Sequence, residues 1–216
     1  MKNVVYYSQY DPRWAGIPYT SPGNPDATIQ SSGCGPSCFA MLHATYTDPK
    51  FSPVESCQLA ISLHDRVTGG TEDEFFKHAA DHFGYQYSDT TDTAVAISAL
   101  KADKLVICHM EDWFRPGCGH FIVARGMDGD KILINDPASR ANTAKSWDQS
   151  VFRQKCLKYF IISKKEAVKV DYDESLKFLA QKCGISVDYW EGRKSIDQYF
   201  EAFVMKVANA WKGEAK

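Results

Sequence analysis

The apolar residues change their period part-way along the chain, and this limits the fold more than any other feature. From about residue 34 to residue 102 they recur at helical spacing; from there to about residue 162 they come as short continuous runs. Apolar positions at 38, 39, 41, 42 and 45–46 predict a helix over Cys38–Thr45, opened by Gly35-Pro36-Ser37 with its proline in the first turn. A second helix is expected over Val54–Leu63, behind Pro53. A third starts at Thr71, where Thr71-Glu72-Asp73-Glu74 reads as a capping box, and stops after His82 at Gly84. A fourth covers Thr93–Ala102. The runs Leu105–Cys108, His120–Ala124, Lys131–Asn135 and Leu157–Ile162 read as strands, and Asp128-Gly129-Asp130 as a hairpin turn. Helices first and an antiparallel sheet second define an α+β fold with the helices packed on the sheet.

With 216 residues, there is chain for one ordinary domain and a small appendage. Residues 1–163 are expected to form the main domain, 164–172 a charged linker, and 173–216 a small helical unit with amphipathic stretches at about 173–183 and 195–210. Residues 1–33 hold Pro12, Pro18, Pro22, Pro25, Gly16 and Gly23, which break regular structure; a long loop of this kind often wraps a groove.

Composition excludes several function classes. The net charge is −2, from 25 basic and 27 acidic residues, so no strong field is present to capture nucleic acid or an anionic membrane. At 44% hydrophobic and 24% charged the composition is that of a soluble globular protein, and no run approaches the ~18 apolar residues of a membrane helix. The N-terminus is not a secretory signal, so synthesis in the cytoplasm is expected, and action at a cell wall would require release through a partner pore. Seven scattered cysteines, at 34, 38, 57, 108, 118, 156 and 183, do not read as a disulfide framework, and their odd number leaves at least one free thiol. The glycines at 69–70 and 126–129 lack the lysine of a phosphate loop, and no cofactor is expected.

The chemistry is concentrated in Ser32-Gly33-Cys34-Gly35-Pro36-Ser37-Cys38. A cysteine between two glycines at a helix start meets free N–H groups and the positive end of the helix dipole, which favour the thiolate and can bind an oxyanion. Cys38, one turn further on, reads as core. A nucleophile needs a base, and the base an orienting group. Of six histidines, His43, His64, His78 and His82 fall in helical stretches, and His109 ends a strand. His120 opens a strand after Gly117-Cys118-Gly119, and counting outward from the hairpin places it within a register step of Asp136. Taken singly, each of these residues has an ordinary explanation: a turn cysteine, a strand-end histidine, a capping aspartate before Pro137. Zinc held by Cys34, Cys38, Cys118 and His120 is a competing use of the same groups. Trp14, Trp113 and the loop 112–119 are natural groove walls.

Four segments in this order, Tyr6-Tyr7-Ser8-Gln9-Tyr10-Asp11-Pro12-Arg13-Trp14, Gly33-Cys34-Gly35-Pro36-Ser37, Gly119-His120-Phe121-Ile122-Val123 and Asn135-Asp136-Pro137, resemble the cysteine peptidase family that includes the bacteriocin-leader-processing peptidases, over roughly residues 5–162. The resemblance implies a papain-like fold, Cys34 as nucleophile, His120 as base, Asp136 as its orienting group, and an acyl-enzyme hydrolysed by water. It also implies a glutamine supporting the oxyanion. The leader-processing branch places it six residues before the cysteine, where this chain has Thr28; Gln9 and Gln30 are the candidates, with Gln9 favoured. No transporter motif accompanies the domain, which argues against leader processing. The tail around Cys183-Gly184-Ile185 and Tyr189-Trp190 resembles the small helical unit of some phage lysins, which implies a peptidoglycan peptide as substrate. A thiol amidase or transpeptidase, and a non-enzymatic binding module, are the alternatives.

Overall fold

The computed structural model describes residues 3–114 and 116–165, together with Lys177, Phe178, Ala180, Gln181, Lys206 and Val207. The chain divides into two units, Met1–Lys165 and Glu166–Lys216. The expected helical unit at 173–216, its lysin-like features, and most of the linker lie outside the described residues.

In the first unit, residues 3–28 run without helix or strand, apart from isolated bridges between Pro18 and Thr28 and between Ser21 and Asn24. The elements then follow as α1 (Ile29–Ser32), α2 (Cys34–Tyr46), α3 (Pro53–Ser62), the short pair β1 (Arg66–Val67) and β2 (Gly70–Thr71), α4 (Glu74–His82), β3 (Gln86–Thr90), α5 (Thr93–Lys101), β4 (Leu105–Met110), β5 (His120–Asp128), β6 (Lys131–Asn135), α6 (Arg140–Thr143), β7 (Ser146–Trp147), α7 (Gln149–Lys155) and β8 (Cys156–Ser163). The main sheet among the described residues is antiparallel throughout, in the order β3-β8-β4-β5-β6-β7. The fold is α+β, as the change of period indicates.

Both faces of the sheet are covered, which is why β4 and β5 read as continuous apolar runs rather than alternating ones. On one face Ile107, Phe121, Val123 and Phe160 meet Phe39, Met41, Phe75 and Phe76 of α2 and α4. On the other, Cys108, Ile122, Ala124 and Ile134 meet Ala96, Ile97 and Leu100 of α5 and Phe152 of α7. Helix α2 is buried along most of its length, from Gly35 to Tyr46, and its N-terminal tip reaches the start of β5: a methyl group on Gly35 would lie 3.2 Å from the ring of Phe121. Glycine is what permits that approach.

Two local expectations need correction. Thr71 does not cap α4. Its backbone pairs with Arg66 in the β1–β2 hairpin, its hydroxyl bonds the Tyr19 hydroxyl at 2.7 Å, and Asp73 occupies the N-cap without a side-chain bond. A capping box does form at Ser52 and Glu55, at the start of α3. The register of the β5–β6 hairpin also differs from a plain count. Asp128 pairs with Lys131 around Gly129, whose φ of 57° suits the first central position of a type II′ turn. Arg125 is then an extra residue, and Ala124 pairs with Ile134 and Val123 with Asn135. Continuing this register sets Asp136 across from Ile122, so it is diagonal to His120 on the same face rather than opposite it.

Candidate active site

The groove at the tip of α2 has a volume of about 400 Å³ and is lined by Cys34, His120, Gln9, Tyr10, Phe114 and Cys118 among others. Among the described residues, no Asp, Glu, Lys or Arg contributes to its lining. Cys34 is half-buried at the first position of α2. The N-cap is Gly33, which offers no side-chain cap, so first-turn N–H groups stay available at the groove.

His120 is buried at the start of β5, and its Nε2 lies 2.9 Å from Oδ1 of Asp136. That leaves Nδ1 free of Asp136 in the groove that Cys34 also lines, and the imidazole and the thiol bear on each other's protonation. The main-chain N–H groups of Phe121 and Gly35 also favour the charged sulfur. Burial by itself pushes the thiol up. The hydrogen bond and charge of His120, aided by these two N–H groups, outweigh it, and Cys34 sits below the usual thiol range. Burial pulls His120 down, yet the bonds to Asp136 and Cys34 win and push it up to about 9. Asp136 is wholly buried. Desolvation raises it, but His120, Asn142 and Trp113 together hold it below the usual carboxylate value. Both shifts run toward a thiolate beside an imidazolium.

The N-terminal segment wraps the site. The Gln9 N–H donates to the Pro137 carbonyl at 2.8 Å, and the Tyr6 hydroxyl to that of Asp136 at 3.0 Å. Gln9 is buried at the groove, and its Nε2 donates to the Gln30 carbonyl at 2.6 Å. Gln30 thus meets Gln9 through its backbone, while its side chain is exposed. Of the expected groove walls, Trp14 belongs to the core, its Nε1 donating to the Ser8 carbonyl. Trp113 points at Asp136 rather than into the groove; from that loop it is Phe114, Cys118 and Gly119 that form the wall. Cys38 is fully buried, as expected of core. His109 pairs with Asp73 at 2.9 Å. Among the described residues no cluster of three or more His, Cys, Asp or Glu is arranged for a metal. Asn142 carries no signal of its own in the sequence; the one local cue is Ser139, which caps α6.

A thiol at a buried helix tip facing an imidazole on an antiparallel sheet defines the papain-like class of cysteine peptidase folds. Residues 1–168 match the model of the Peptidase_C39 like family, and the chain belongs to that family. Among solved structures, the peptidase domain of Streptococcus ComA, a bi-functional ABC transporter involved in a quorum sensing pathway, is similar at 16% identity and a TM-score of 0.51, over 62% of this chain and 92% of that one. A double glycine motif protease from an AMS/PCAT transporter, solved with its leader peptide, matches at 18% identity and a TM-score of 0.49, over 76% and 94%. No curated protein matches the sequence. No helix among the described residues is long and apolar enough to cross a membrane.

Proposed function

We propose that this chain is a cysteine peptidase in which Cys34 is the nucleophile, His120 the general base and acid, and Asp136 the group that orients His120. The observation that carries the reading is that Cys34 and His120 line one groove while His120 Nε2 is held 2.9 Å from Asp136 Oδ1. The thiolate attacks a peptide carbonyl, and the imidazolium gives its proton to the departing amine. An acyl-enzyme remains, and water activated by the neutral imidazole hydrolyses it. The second Nε2 hydrogen of Gln9 and the first-turn N–H groups of α2 stabilise the oxyanion.

The substrate is a peptide, bound in a groove whose described lining includes Gln9, Tyr10, Gln30, Phe114 and Cys118. The finer choice, a peptidoglycan cross-bridge or stem peptide cut by a lysin, draws on the sequence of the tail. Alkylation by iodoacetamide at neutral pH tests the catalytic reading: Cys34 should react faster than a free thiol, and Cys34→Ala should remove the fast phase. A rate no faster than a free thiol would favour a binding module. Release of new amino groups from purified peptidoglycan tests the substrate. Wild-type protein that releases none excludes the cell-wall role while leaving the peptidase in place. Product masses separate hydrolysis from transfer to an amine.

A further inference from the structure

Asp136 is saturated with hydrogen-bond donors, and only one of them is His120. Oδ1 accepts from His120 Nε2 and from the Ala138 N–H, each at 2.9 Å. Oδ2 accepts from Trp113 Nε1 at 2.9 Å and from Asn142 Nδ2 at 2.8 Å. An ionised carboxylate offers about four acceptor sites, and all four are filled.

The two donors on Oδ2 are themselves held. The Trp113 ring packs on Trp147 with centroids 4.7 Å apart, and Trp147 Nε1 donates to the Asn142 carbonyl at 3.0 Å. The Asn142 N–H is fixed by the Ser139 hydroxyl, and the Asp136 N–H by the Thr143 hydroxyl at 2.9 Å. The loop after β4, helix α6 and strand β7 therefore close on one oxygen. Neither Trp113 nor Asn142 lines the groove.

We infer that Trp113 and Asn142 are positioning residues of the hydrolysis: by saturating Oδ2 they aim the other oxygen of Asp136 at the imidazole. The inference rests on the roles proposed above for Cys34, His120 and Asp136. A carboxylate accepting one bond from a histidine can rotate about its last torsion and swing its free oxygen toward the ring. With Oδ2 clamped from two directions, one rotamer is left. The same bonds keep this buried group ionised, and it is the negative charge that sustains the imidazolium. The other titratable or charged groups around Asp136 are His120 with Cys34 beyond it, Cys38 within α2, and Tyr6 and Arg140, the latter stacked on the Tyr6 ring at 4.9 Å. None of these donates to Oδ2.

The test uses the full chain with Trp113→Phe, which keeps an aromatic ring against Trp147, and Asn142→Leu, which keeps the branched shape without the donor. If one does not fold, the other carries the test. The Asp136 carboxyl carbon is titrated by NMR, and the pH profile of Cys34 alkylation is measured alongside. Each variant should raise the carboxyl midpoint by about one pH unit and move the acid edge of alkylation upward with it. A carboxyl midpoint and an alkylation profile identical to those of the wild type overturn the inference, even if the unfolding temperature falls. A wild-type Cys34 that reacts no faster than a free thiol overturns the catalytic reading first, and this inference with it.

Discussion

Gln9 places its Nε2 2.6 Å from the main-chain carbonyl of Gln30, so of two glutamines at the same groove one offers a side chain and the other a backbone oxygen. That bond fixes which end of the Gln9 amide is the donor, since the opposite orientation would set two oxygens against each other. Gln9→Ala should lower kcat by about 100-fold, the range seen on losing one oxyanion donor, with little change in KM. Gln30→Ala should leave kcat within about twofold, because its carbonyl is retained. The reverse pattern in steady-state kinetics would assign the oxyanion role to Gln30.

The pH dependence follows from the directions of the shifts. Cys34 is lowered and His120 is raised to about 9, so the ion pair spans the interval between them. Activity should rise as Cys34 ionises, stay level through neutrality, and fall above about pH 9 as His120 loses its proton. For stability, a base raised from about 6.5 to about 9 contributes fully below the lower value and loses that contribution as pH rises to the higher. Asp136, lowered, contributes above its ordinary value and loses it on acidification. Cys34, lowered, gains over the same interval what His120 loses, so the pair leaves wild-type thermal stability level there. Cys34→Ser should uncover the contribution of His120 as a decline between about pH 7 and 9, and a level profile in that variant would contradict the assignment.

Gly35 balances two opposed effects. Alanine is favoured over glycine inside a helix by about 1 kcal/mol. Here, however, its methyl would lie 3.2 Å from both the Phe121 ring and the Thr71 Cβ. The helix tip has to give way, and Cys34 moves with it. Gly35→Ala should cost more than about tenfold in kcat/KM, as sub-ångström misplacement of a reacting group does, while the melting temperature moves by only a few degrees. Full activity with a raised melting temperature would show that the contact is soft.

Arg66 is buried, and no carboxylate among the described residues pairs with it. It donates to the carbonyls of Tyr19 at 2.8 Å and Gly70 at 2.7 Å, and to that of Val67, and it lies over the Tyr19 ring. It thereby pins the N-terminal segment to the β1–β2 hairpin. Arg66→Met leaves buried carbonyls unpaired and should destabilise the protein by about 1–3 kcal/mol, read as a lower denaturant midpoint. An unchanged midpoint would mean that water replaces the guanidinium.

What the sequence disclosed, it disclosed where local chemistry and tertiary role coincide. Gly33-Cys34-Gly35-Pro36 announces a helix start that the fold uses as one, and Asp128-Gly129 announces a turn that forms. Strand β3, Gln-Tyr-Ser-Asp-Thr, is hidden because an edge strand with mostly exposed side chains has no apolar pattern to read. Strand β7 is two residues long and pairs only through its backbone. Thr71-Glu72-Asp73-Glu74 carries a capping signature that hairpin pairing overrides. Within the site, Cys34, His120 and Asp136 are legible from their surroundings, whereas Trp113 and Asn142 are not. Nothing local distinguishes an indole or amide that clamps a carboxylate from one that packs or caps.

The extra residue at Arg125 has a consequence for how chains of this kind are compared. It takes up one place in β5 while leaving the ladder beyond it intact, with Ala124 still across from Ile134. The 16-residue interval from His120 to Asp136 is therefore an accident of counting. A chain one residue shorter here, with a straight strand, would present the same two side chains to each other. A search that fixes the interval between these two residues would pass over such a chain, while one that asks only for a shared face and a diagonal neighbour would find it.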